Sequence, residues 1–117
     1  ILSNVVDPEA VDTSNIKIVA SLDAQQFANE YSANEVSADN QYRDQWIELT
    51  GYVHAVRKDV MDKVYVALYY NNGFDVLCYF SDSDEVETLS PGQRVKVVGL
   101  CKGKNGVSPI LKNCFIK

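Results

Sequence analysis

Three tyrosines on two neighbouring runs carry the first chemical suggestion. Tyr65 and Tyr69 lie in Val64-Tyr65-Val66-Ala67-Leu68-Tyr69-Tyr70, and Tyr79 in Phe74-Asp75-Val76-Leu77-Cys78-Tyr79-Phe80. Both runs alternate with period two, the mark of half-buried strands, and Asn71-Asn72-Gly73 between them signals a hairpin. A three-residue loop, with Gly73 in the left-handed position, pairs 68 with 76, 66 with 78 and 64 with 80. That register gathers Val64, Val66, Leu68, Val76, Cys78 and Phe80 on one face, as the pleat requires. The other face then sets Tyr65 opposite Tyr79, Ala67 opposite Leu77 and Tyr69 opposite Asp75. Exposed there, Tyr65, Tyr69, Tyr79 and Leu77 make a ligand-binding platform on which bases stack for about 1–3 kcal/mol each, or on which sugar rings stack. Two plainer readings stand beside this one. The tyrosines can be a cross-strand pair worth about 0.2–1 kcal/mol to the sheet, or a surface buried beneath a helix. Asp75 beside them repels phosphate.

Charge is segregated along the chain. Residues 1–87 hold 5 basic and 16 acidic side chains, a sum of −11, whereas residues 88–117 hold six basic side chains and no acid, a sum of +6. The net charge of −5 and pI of about 4.7 argue against coating nucleic acid by bulk attraction. Arg94, Lys96, Lys102 and Lys104 are the candidate basic patch. Lysines on strands also serve simply to discourage edge-to-edge pairing.

Cys101 and Cys114 fall on the two arms of the last hairpin. Pairing them sets Leu100 opposite Phe115 and Gly99 opposite Ile116, a register in which an oxidising compartment allows a cross-strand disulfide. Cys78 is then a buried free thiol; three reduced core cysteines are the other reading. His54 is the sole histidine, and with no second imidazole or Cys pair it reads as a strand residue. Asp82, Asp84, Glu85 and Glu87 lack calcium-loop spacing and read as helix capping and solvation. Glu35 and Asp39, one helical turn apart, read as a carboxylate pair on a solvent face; turned inward, Asn34 and Asp39 would instead cap or bond barrel backbone. Gly103-Lys104-Asn105-Gly106 is not a phosphate loop. No metal site, no cofactor and no nucleophile–base–orienter set is expected, and hence no enzyme.

These side chains need elements to hold them. Residues 1–20 read as a leader or tether rich in Asp, Ser and Asn, with a short extended piece over Ile16–Val19. The absence of an initiator Met marks a processed chain. Residues 21–117 read as one domain. Ser21 is the expected N-cap of a helix over about 22–42, with a mostly apolar stripe through Ala20, Ala24, Phe27, Tyr31, Asn34, Ala38 and Tyr42 and a bend near Asn34-Glu35 or Ser37. Strands follow over 46–56, with a bend or bulge at Gly51, over 64–70, 74–80, 94–101 and 110–116. A short capped helix is expected over 81–89. No apolar run approaches the length that crosses a bilayer.

Five strands, a glycine within the long first one and a helix between the third and fourth make the arrangement of a five-stranded Greek-key barrel, the OB-fold. Several short motifs carry a resemblance in the same order. They are Asn34-Glu35-Val36-Ser37-Ala38-Asp39 with Tyr42, Thr50-Gly51-Tyr52-Val53, Val76-Leu77-Cys78-Tyr79-Phe80, Leu89-Ser90-Pro91-Gly92-Gln93-Arg94-Val95, Gly99-Leu100-Cys101-Lys102-Gly103 and Leu111-Lys112-Asn113-Cys114. Over about residues 20–117 the chain resembles the tRNA-anti-like family of OB-fold lipoproteins. The resemblance implies an exported protein of the periplasm or cell envelope, meeting a membrane only through a lipid anchor outside this chain. It assigns no catalytic residue. The expectation is a non-enzymatic OB-fold binding module whose ligand or protein partner is unnamed. The alternatives are a single-stranded nucleic-acid binder, disfavoured by the acidic pI, and a structural or protein-interaction module.

Overall fold

The computed structural model describes residues 15–117. Its elements are β1 (Ile18–Asp23), α1 (Ala24–Ala33), α2 (Glu35–Tyr42), β2 (Trp46–Lys58), β3 (Val64–Leu68), β4 (Val76–Phe80), a 3-10 turn at Ser83–Glu85, β5 (Arg94–Asn105) and β6 (Ser108–Ile116). The period-two runs become strands because one side of the pleat is apolar throughout. In β4, Val76, Cys78 and Phe80 are buried while Leu77 and Tyr79 are half-buried.

Strand pairing runs β2-β3-β4-β6-β5, and β5 returns to β2. Five strands therefore close into a barrel, which leaves these five without a free edge. Ile47, Leu49, Val66, Leu68, Val76, Val97 and Leu111 fill its interior. β1 lies parallel to the first half of β2, Ile18 opposite Trp46 and Asp23 opposite Thr50. The extended piece expected over Ile16–Val19 is thus a sheet strand that begins and ends later. Of the expected leader, residues 1–14 lie outside the described residues, and Ile18–Ala20 belong to β1.

The single long helix is corrected to two short ones. Asp23 rather than Ser21 caps α1, its Oδ1 accepting the Gln25 N–H at 2.8 Å. Ser21 instead donates its hydroxyl to Glu48 at 2.8 Å. Asn34, extended at φ −160° and ψ 93°, ends α1 and caps α2 by accepting the Ser37 N–H at 3.0 Å. A side chain that offers the backbone its own acceptor favours a cap over a helix interior, so the bend becomes a break. Most of the expected stripe survives it, although Ala20 belongs to β1 and Asn34 is exposed. Ala24, Phe27, Tyr31, Ala38 and Tyr42 are buried, with the Phe27 ring 5.2 Å from Tyr31 and 5.5 Å from Tyr42.

That stripe plugs one mouth of the barrel. Tyr31 Oη donates to Asp39 at 2.8 Å and lies 3.5 Å from Cys101 Sγ. Tyr42 donates to Glu30 at 2.7 Å and Tyr70 to Asn29 at 2.8 Å. Gly51 belongs to this plug. A Cβ there would meet the Ala24 Cβ at 2.9 Å, so its role is close approach. The bulge expected at Gly51 sits at His54, where the β2–β3 register shifts.

The capped helix over 81–89 contracts to the 3-10 turn. Asp82 caps it by accepting the Asp84 N–H at 2.9 Å. Glu85 departs from the solvated role, accepting the Ile116 N–H at 3.0 Å and pinning the end of β6.

Candidate ligand-binding face

The β3–β4 register is the expected one. Tyr65 opposes Tyr79, Val66 Cys78, Ala67 Leu77 and Leu68 Val76. The tyrosine rings stand 5.2 Å apart, tilted by 43°, and both are half-buried. The strands stop two residues short of the expected ends. Tyr69 and Asp75 therefore sit in a loop over residues 69–75, and Gly73 is not left-handed. Asp75 organises that loop through Oδ1 to the Tyr70 N–H at 3.3 Å and Oδ2 to His54 Nδ1. Gln25 accepts the Asn71 N–H at 3.2 Å. Tyr69, 45% exposed, meets the His54 ring edge-on at 5.7 Å. His54 is thus an exposed strand residue that clamps the loop. The helices pack chiefly on β1, β2, β5 and β6, so Tyr65, Tyr69, Leu77 and Tyr79 are not covered by them.

A groove of about 620 Å³ opens beside the tyrosine pair. Its walls include Met61, Lys63, Tyr79, Asn105, Lys112 and Asn113. The β2–β3 loop shapes one wall. Asp59 Oδ1 accepts the N–H groups of Met61 at 2.8 Å and Lys63 at 3.0 Å, and Asp62 takes the left-handed φ of 62°. Those N–H groups hold the Asp59 carboxyl below the usual carboxylate range. Burial, then the Asp59 charge and hydrogen bond, raise the Tyr79 phenol. The same hydrogen bond ties Tyr79 to this loop. Sequence reasoning missed this wall; the one signal available was an aspartate directly after a strand end, a common Asx-turn site.

The expected basic patch is not joined to the tyrosines. Arg94, Lys96, Lys102 and Lys104 all lie on β5, separated from β3 by β2 and from β4 by β6. Lys96 lies 3.8 Å from Glu48 Oε1 and Lys102 2.7 Å from Asp44. Lys117 also approaches Glu48, at 3.4 Å. The groove's own cations are Lys63 and Lys112, and its acids are Asp59 and Asp62. Asp39, expected either on a solvent face or turned inward to bond backbone, is half-buried, takes the Tyr31 hydroxyl and lies 3.6 Å from Arg43.

The Cys101–Cys114 pairing is overturned. All three thiols are free, and Cys101 opposes Leu111. The register differs by two to three residues because the turn sets Asn105 opposite Ser108, which already displaces the pairing by two, and the irregularity beside Asn113, at φ 54°, adds one more at Leu100 and Cys101. Cys114 instead lies beside Cys78, and burial pushes its thiol well up. Burial likewise raises Cys101. Among the described residues no group of three or more His, Cys, Asp or Glu could hold a metal ion. Among the described residues no helix is long and apolar enough to cross a membrane.

The sequence profile of the tRNA_anti-like family matches residues 3–115, nearly the whole chain. The chain belongs to the tRNA_anti-like family. No curated protein matches it. Among solved structures it is similar to a putative nucleic acid-binding lipoprotein from Klebsiella pneumoniae subsp. pneumoniae MGH 78578. That likeness has a TM-score of 0.69 at 22% identity, covering 83% of this chain and 90% of the other. At that identity it is the fold of this tRNA_anti-like chain that the likeness establishes: a mainly β protein with a closed five-stranded barrel and two helices.

Proposed function

We propose that this tRNA_anti-like protein is a non-enzymatic OB-fold binding module of the bacterial cell envelope. Its ligand is an oligomer whose flat rings stack on Tyr65 and Tyr79 and whose chain lies in the adjoining groove. The strand order β2-β3-β4-β6-β5 supports the OB-fold. In that fold the second and third barrel strands and the flanking loops are the usual binding surface. Here those strands are β3 and β4; the β2–β3 connection contributes Met61 to the groove, and β5 contributes its last residue, Asn105. The observation that carries the reading is the half-exposed, tilted tyrosine pair, of which Tyr79 lines that groove. The envelope location rests on family membership and on the likeness to a lipoprotein.

Single-stranded nucleic acid is the second reading, favoured by what the solved relative is named to bind and by Lys63 and Lys112 at the groove. Two cations set a modest electrostatic contribution. A single strand contacting both has a log K against log salt slope of about −1.4, roughly a sevenfold loss between about 50 and 200 mM salt. A neutral oligosaccharide shows no such slope.

The test is titration of the labelled protein with an oligothymidylate and with a chitin oligosaccharide, followed by amide chemical shifts. At least one should move resonances of β3, β4 and the 59–63 loop. Tyr65→Ala should weaken that binding by about 1–3 kcal/mol. Binding that is unchanged in Tyr65→Ala, or shifts confined to another face, refutes the proposal.

A further inference from the structure

A second cleft, separate from the tyrosine face, opens at the helix-plugged mouth of the barrel. Its volume is about 240 Å³. The floor is Ala28, Tyr31, Tyr70 and Pro109, all buried. Phe74 and Val107 stand on its rim at 63% and 55% exposure. Lys104 lines it half-buried, and no carboxylate pairs with that ammonium among the described residues. By contrast, its β5 neighbours Lys96 and Lys102 each have one.

We propose that this cleft captures the C-terminal residue of a protein partner, an apolar side chain carrying a free carboxylate. The chemistry of the lining selects that occupant. One unpaired cation balances one negative charge, which fits a carboxylate and under-compensates a phosphate dianion. Lys104 is half-buried beside that floor, and a charge next to low-dielectric surface attracts an anion more strongly than one in open water. Large rim residues left exposed on two different loops favour an apolar group between them. The volume lies below the roughly 300–1,000 Å³ that houses drug-sized ligands. It suits a single side chain, whereas the tail of a long fatty acid would be left in water. Asn72 and Ser32 at the edge can serve the amides of the penultimate residues, as in other sites that capture chain termini.

The inference does not depend on the tyrosine face, so the two readings fail separately. The probes are the tripeptides Ala-Ala-Leu and Ala-Ala-Phe, each as the free acid and as the C-terminal amide, with hexanoate as a carboxylate that lacks a peptide chain. Titrated into the full chain, the free acids should shift amides of residues 28–32, 70–74 and 104–109 and leave Tyr65 and Tyr79 in place. The amides should bind at least about tenfold more weakly, the worth of a hydrogen bond to a charged group. Lys104→Met keeps the aliphatic stem and removes the charge, and it should erase the difference between acid and amide. Equal binding of acid and amide to the unaltered protein overturns the proposal without recourse to any variant. So do shifts that map to the tyrosine groove, binding of hexanoate without the peptides, or no binding at millimolar peptide.

Discussion

Gly99 gives a prediction whose size can be worked from the packing. It lies buried in β5, opposite Ile47 of β2, at the place where the β5–β6 register breaks. A methyl group there would sit 2.5 Å from Cys114 Sγ, 3.0 Å from Leu111 Cβ and 3.1 Å from Leu111 Cδ2. The Leu111 Cβ is fixed to the backbone of β6, and Cys114 is held between β5 and β4, so neither retreats freely. Forcing a methyl into such a site costs about 1–3 kcal/mol. Cys114→Ala by itself removes one buried sulfur and costs about 1 kcal/mol. It also vacates the space the new methyl needs. Gly99→Ala with Cys114→Ala should therefore be less destabilised than the two single costs together, by about 1 kcal/mol. With a urea slope of about 1–3 kcal/mol/M, Gly99→Ala alone lowers the midpoint by roughly 1 M. A double variant whose cost is additive to within about 0.5 kcal/mol refutes the reasoning, as does a neutral Gly99→Ala. The same curves decide the thiol chemistry. A Cys101–Cys114 cross-link would make stability fall by about 2–4 kcal/mol on reduction, whereas free thiols leave the midpoint where it was.

Three further outcomes follow from single contacts. Glu48 is buried, and its carboxyl is held below the usual range first by the Ser21 hydroxyl and then by Lys117 and Lys96, against the opposing effect of burial. Because the folded state lowers this pKa, the contribution is complete above the unfolded-chain value and is lost as pH falls through the folded one. Glu48→Gln should thus cost about 1–2 kcal/mol near neutral pH, and its melting temperature should converge on that of the parent as pH falls well below 4.5. Asn34→Ala removes the cap of α2 and should cost about 0.5–2 kcal/mol in urea denaturation. Tyr31→Phe leaves Asp39 and Cys101 without the hydroxyl between them and should cost about 1–2 kcal/mol, with no effect on amides of β3 and β4.

What was legible in the sequence was whatever a short period controls. The pairing of Tyr65 with Tyr79 followed from alternation on two adjacent runs, because a one-residue slip would turn every core side chain outward. The helix stripe through Phe27, Tyr31 and Tyr42 was legible for the same reason, whereas Asn34-Glu35 was marked only as one of two places for a bend and not as the end of one helix and the cap of the next. Partners far away in the chain were not legible. Ser21 has the form of a cap, yet its hydroxyl serves a carboxylate 27 residues on. Neither the tight turn that sets Asn105 opposite Ser108 nor the bulge at Asn113 carries a mark in the sequence, and together they put Leu111 rather than Cys114 opposite Cys101.

The charge pattern shows the same limit and leads somewhere. An acidic first part and a basic last part suggested a basic pole. Sheet pairing undoes the segregation, because β5 lies beside β2 and brings Lys96 to Glu48, while Lys102 reaches Asp44 just ahead of that strand. Lys117 joins them at Glu48. Of the six cations beyond residue 88, Arg94, Lys104 and Lys112 remain without a carboxylate among the described residues. Lys104 and Lys112 flank the β5–β6 turn, one lining the mouth cleft and the other the tyrosine groove. An anion attracted to this acidic protein is therefore drawn to the two sides of a single hairpin. A charge-reversing substitution at either lysine should weaken binding on its own side and leave the other side intact.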